Sequence, residues 1–68
     1  MARTKKDVKV EIVFDESKGK ARARPINLDG WVRFPNNLRV VGAVYLVEEL
    51  VEGKAGSWIA KGQIRKVA

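Results

Sequence analysis

Residues 7–14 read DVKVEIVF: Val8, Val10, Ile12 and Phe14 alternate with Asp7, Lys9, Glu11 and Val13. Strict period-two alternation places the two sets on opposite faces of an extended chain, so this octet specifies a strand with one apolar face. Phe14 continues that face and is expected in the core with it. A half-buried strand has to be covered, and a chain of 68 residues forms a single domain, so its cover must come from other short elements of the same chain.

The remaining segments supply them. Residues 15–19 are turn-type, and the chain resumes as KARARPINL before Asp29-Gly30. Asp-Gly between Ile26/Leu28 and Val32/Phe34 fits a two-residue hairpin turn, whose central positions need positive φ. Trp31-Val32-Arg33-Phe34 then reads as a short strand that Pro35-Asn36-Asn37 ends. Near the C-terminus, SWIAKGQIRKV sets Trp58, Ala60, Gly62 and Ile64 on one face, and the small residues at 60 and 62 suit a tightly curved wall.

The stretch LRVVGAVYLVEELVEG admits two readings. As a helix at about residues 37–52, it has Asn36 or Asn37 as N-cap, a stripe of Val40, Val44, Val47 and Val51, and Gly53 past its end. Five β-branched valines, an internal Gly42 and three glutamates crowding the C-terminal end of the macrodipole oppose it. As a strand, residues 42–52 pair with residues 57–67 across GKAG. Limbs of about eleven residues exceed the usual strand length and call for a bend or bulge.

About five short strands cannot all hide their edges in an open sheet, and closure removes the edges. The expected fold is therefore all-β, a small, strongly bent five-stranded barrel of SH3-like or OB-like kind. The alternative is α+β with the helix at about 37–52. Residues 1–6 are expected to form a flexible basic arm and residues 7–68 the single domain.

Composition narrows the function. The chain has no cysteine and no histidine, which removes disulfides, the usual zinc ligands and the commonest bases and thiol nucleophiles. Ser17 and Ser57 have no general base beside them in sequence, and Gly53-Lys54-Ala55-Gly56 is too short for a phosphate-binding loop. The adjacent carboxylates Asp15-Glu16 and Glu48-Glu49 point apart in an extended chain and read as solvated. The expectation is a non-enzymatic protein with no metal and no cofactor. Its N-terminus lacks the apolar core of a signal peptide, and no segment reaches the length of a membrane span. Those features suggest a cytoplasmic protein with no membrane partner.

A net charge of +6 draws polyanions. The charge is also uneven. Residues 1–24 hold eight cations, whereas residues 40–52 hold none and carry Glu48, Glu49 and Glu52. Within SKGKARARP, Lys18, Lys20, Arg22 and Arg24 occupy every second position. In an extended chain they form a row of cations about 6.6 Å apart, spanning roughly 20 Å. That repeat approximates the phosphate spacing of an extended single strand better than the duplex rise of about 3.4 Å per strand.

Single-stranded nucleic acid is held by cationic grooves beside exposed rings. Of the aromatic residues, Trp31 alternates with Arg33 and is the ring best placed for exposure, while Phe14 and Phe34 fall on core faces. The candidate nucleic-acid-binding residues are Lys18, Lys20, Arg22, Arg24, Trp31 and Arg33, with single strands favoured over duplex and little sequence specificity. The second expectation is a protein-interaction module: a homodimer, or a subunit using the valine-rich residues 40–51. The chain carries no RNP signature, GXXG clamp or zinc knuckle.

Overall fold

The structure, a computed structural model, describes residues 3–68. Its strands are β1 (Thr4–Asp15), β2 (Lys20–Pro25), β3 (Trp31–Arg33), β4 (Val44–Glu52) and β5 (Ser57–Lys66), with one 3-10 turn at Asn36–Leu38. They close in the order β1-β2-β3-β5-β4, β4 pairing back onto β1. All pairings are antiparallel except β3 with β5, which is parallel. This crossing connection makes the barrel a Greek key, the OB-like of the two expected forms.

β1 is long because it serves two neighbours. Its Val10–Asp15 half pairs with β2, and residues 4–11 pair with β4. The β4–β5 hairpin bends as its length demands. Val47 faces Ile64 and Glu49 faces Lys61, so Gly62 and Gln63 both oppose Glu48. Gly62 sits at φ 77°, and the Gln63 backbone N–H donates to Glu48 Oε1 at 3.0 Å. An extra residue of this kind kinks the strand and sharpens its twist, which a small barrel requires.

Inside lie Val10, Ile12, Ala23, Val32, Phe34, Ala43, Tyr45, Val47, Leu50 and Trp58. The Phe34 and Tyr45 rings pack with centroids 5.2 Å apart and planes tilted by 53°. Both buried polar tips are satisfied: Tyr45 Oη donates to the Leu38 carbonyl at 2.8 Å, and Trp58 Nε1 to the Asp29 carbonyl at 2.8 Å. These bonds tie the two irregular connections to the core.

The alternative α+β reading is excluded, and three expectations need correction. The helix at 37–52 does not form; the chain makes a single 3-10 turn there and then β4, as its valines favour. Residues 4–6 of the expected arm are in β1, and Arg3 is paired with Glu52 at 2.8 Å; residues 1 and 2 lie outside the described residues. Asp29-Gly30 is not a two-residue hairpin turn. β2 ends at Pro25, the Ile26 N–H bonds the Lys9 carbonyl at 2.9 Å, and Asn27 turns the chain with φ 67° before β3 begins at Trp31. Proline gives up its ladder donor and ends the pairing there. Finally, Phe14 is 55% exposed, because the barrel closes short of the β1 end. Among the described residues no helix is long and apolar enough to cross a membrane.

Candidate nucleic-acid interface

β2 keeps its period of two. Ala23 and Pro25 are buried, while Lys20 and Arg24 are exposed and Arg22 half-buried on the outer face. Small inward residues let this strand lie close over the core. The row therefore has three members on the strand, not four, since Lys18 lies in the turn at residues 16–19. From β3, Val32 points inward and Trp31 and Arg33 outward. Ala23 faces Val32 across the β2–β3 pair, so the five outward side chains share one convex face.

Asp15 organises the start of that face. Its Oδ1 accepts bonds from the Ser17 N–H at 3.0 Å and the Ser17 hydroxyl at 2.7 Å, closing the turn. Its Oδ2 accepts from Arg22 Nη1 at 2.9 Å. The Ser17 hydroxyl and then the Arg22 guanidinium hold the Asp15 carboxyl down at about 2. Asp15 is thus engaged, with its side chain only 10% exposed, and the expectation of a solvated Asp15-Glu16 pair fails at its first member. So anchored, the Arg22 guanidinium lies 4.3 Å from the centroid of the Trp31 ring. Arg24 is less committed, its Nη2 standing 3.4 Å from Glu11 Oε1 on β1.

Beside this stack is a hollow of about 330 Å³ lined by Lys20, Arg22, Arg33 and Arg39 together with Trp31 and Ser57. No carboxylate lines it. Lys20, Arg33 and Arg39 make no ion pair among the described residues. Arg39 follows the 3-10 turn and reaches the β2 backbone, with Nη1 3.4 Å from the Ala21 carbonyl. It is the cation that sequence reasoning missed. No alternation runs through residues 35–43, so only the Pro35-Asn36-Asn37 stop, marking a loop that returns over the barrel, hints at it.

Of the six candidates, Lys20, Arg22, Trp31 and Arg33 come together at the hollow, and Arg24 and Lys18 stand outside its lining. A larger hollow, about 420 Å³, runs along the first half of β1, where Lys5, Lys6 and Lys9 surround Ile26, Leu28 and Leu46. It holds cations but no ring. Among the described residues no group of three or more Asp or Glu side chains could hold a metal ion. The arrangement offers fixed positive charge, one aromatic wall and hydrogen-bond donors from guanidinium groups, which suits an anion carrying a planar group.

In the valine-rich segment, Tyr45, Val47 and Leu50 are consumed by the core, whereas Val40 and Val41 are 61% and 57% exposed. No protein-family model, no curated protein and no solved structure matches this chain.

Proposed function

We propose that this barrel binds single-stranded nucleic acid on its β2–β3 face without catalysing a reaction. The observation that carries the reading is the convergence of Lys20, Arg22, Arg33 and Arg39, from three separate elements, on a hollow walled by Trp31 and free of carboxylates. Guanidinium forks suit phosphate oxygens, and the Trp31 face that Arg22 does not cover gives an unpaired base a surface to stack on. A duplex keeps its bases stacked on one another and could use only the charges. Phosphate contacts carry no sequence information, so affinity from this source is largely indifferent to sequence.

Titration with a labelled single strand and its duplex at about 50 mM and about 200 mM salt tests the reading. Tighter binding of the single strand, weakening as salt rises, supports it. Absence of binding at the lower salt, or binding indifferent to salt, overturns it.

A second reading, a protein-interaction surface, rests on Val40 and Val41, whose exposure leaves apolar area uncovered in the loop before β4. Sedimentation decides it: self-association lost in a Val40→Ser/Val41→Ser variant favours it, and a monomer at all concentrations counts against a homodimer.

A further inference from the structure

Trp31 lines two hollows, and they differ in charge. The first, described above, is lined by four cations, of which Arg22 is paired with Asp15 and Lys20, Arg33 and Arg39 are not paired among the described residues. The second, about 200 Å³, lies toward the β4–β5 turn and is lined by Asp29, Gly30, Glu52, Trp58 and Arg3 as well as Trp31. Its one cation is committed, since Arg3 Nη2 is 2.8 Å from Glu52 Oε2. Glu52 first, by its hydrogen bond and charge, and Asp29 to a smaller degree, by its charge, raise the Arg3 pKa. A phosphate entering this hollow would meet two carboxylates and no free cation.

The backbone of Asp29 is fixed, because its carbonyl accepts the Trp58 indole N–H at 2.8 Å. Its carboxylate accepts no hydrogen bond from any described residue. An exposed acceptor with no hydrogen-bond donor among the described residues therefore stands beside an aromatic wall, one ring away from the cations of the first hollow. This complements a nucleotide whose phosphate lies on one side of Trp31 and whose base lies on the other. A carboxylate accepts from an exocyclic amino group such as cytosine N4–H₂, whose C5-side N–H has no acceptor beside it, while unpaired thymine or uracil offers only N3–H, flanked by the O2 and O4 acceptors that repel the carboxylate.

Resting on the nucleic-acid reading, we propose that Trp31 divides the face into a phosphate compartment and a base compartment. Asp29 makes the base compartment select bases that carry an exocyclic amino group. Discrimination by one exposed carboxylate falls at the low end of base readout, about fivefold between cytosine and thymine.

The test is fluorescence anisotropy with labelled dC, dT and dU homo-oligomers of one length, using wild type, Asp29→Ala, Asp29→Asn and, as a control, Glu16→Gln, an exposed position that lines neither hollow. Removing any negative charge tightens binding of every oligomer, so the readout is the ratio of dC to dT affinity. Wild type is expected to favour dC over both dT and dU by about fivefold. The ratio should fall to near one in Asp29→Ala and shrink in Asp29→Asn, and stay unchanged in Glu16→Gln. A near-UV circular dichroism signal from buried Trp58 reports that each variant is folded. Equal affinity for dC and dT in wild type overturns the base compartment and leaves the nucleic-acid reading standing. A preference that survives Asp29→Ala, or one in which dU binds like dC, overturns it as well. Failure of all three oligomers to bind overturns both.

Discussion

Asp15 and Arg22, seven positions apart and on neighbouring strands, are joined by a 2.9 Å ion pair that lays the arginine against the Trp31 ring. The pair converts a flexible side chain into a fixed one. It also means that part of the β2 charge is already answered within the protein, so Lys20, Arg33 and Arg39 are the cations left for a ligand.

Because the folded-state pKa of Asp15 is depressed to about 2 from 3.8, its contribution to stability is present in full above the unfolded value. As pH falls through 3.8 toward about 2, the unfolded chain takes up the proton first and that contribution is lost. Glu52, also lowered, by its Arg3 partner, acts in the same direction. Urea midpoints measured from neutral pH down to about 2 should therefore decline on the acid side, and Asp15→Asn should show a lower neutral-pH midpoint with a shallower acid decline. An unchanged acid limb in Asp15→Asn would remove Asp15 from this role.

Gly30→Ala should be costly. Gly30 has φ 98°, and a Cβ there would overlap the Gly56 carbonyl oxygen, a backbone atom that cannot step aside. Left-handed strain plus this collision should cost at least about 2 kcal/mol, or roughly 10 °C in Tm for a domain of this size. Gly19→Ala, also left-handed at φ 66° but with open space around the added carbon, should cost about 1 kcal/mol. Thermal denaturation compares them, and equal losses would show that the Gly30–Gly56 approach does not matter.

Leu50 and Val41 belong to one apolar stretch of sequence and to different environments. Leu50 is fully buried, and Leu50→Ala should destabilise by about 2–5 kcal/mol. Val41→Ala, at a side chain 57% exposed, should change stability by no more than about 0.5 kcal/mol. Chemical denaturation measures both.

These contrasts mark what a one-dimensional pattern can carry. Alternation placed Val8, Val10 and Ile12 inward and Trp31 and Arg33 outward, because side-chain direction in a strand is a local property. The β4–β5 hairpin and its bend were legible in GKAG, in the length of the limbs and in the small Ala60 and Gly62. Phe14 was misplaced since its exposure depends on where the barrel closes, which no neighbour in sequence states. The same holds for the parallel β3–β5 pairing and for Arg39, which joins the β2 face by a long-range return of an irregular loop. The face was legible residue by residue, and the hollow within it was not.

The most direct test of the account is the salt dependence of single-strand binding in wild type and in a Lys20→Ala/Arg33→Ala/Arg39→Ala variant. All three side chains leave the core untouched, so the variant is expected to fold. Each phosphate contact contributes about 0.7 to the slope of log affinity against log salt for single strands, so the triple variant should bind more weakly and lose about two units of slope. Arg24→Ala, outside the hollow, should lose less than one. A triple variant that binds with wild-type affinity and slope would contradict the assignment of this face.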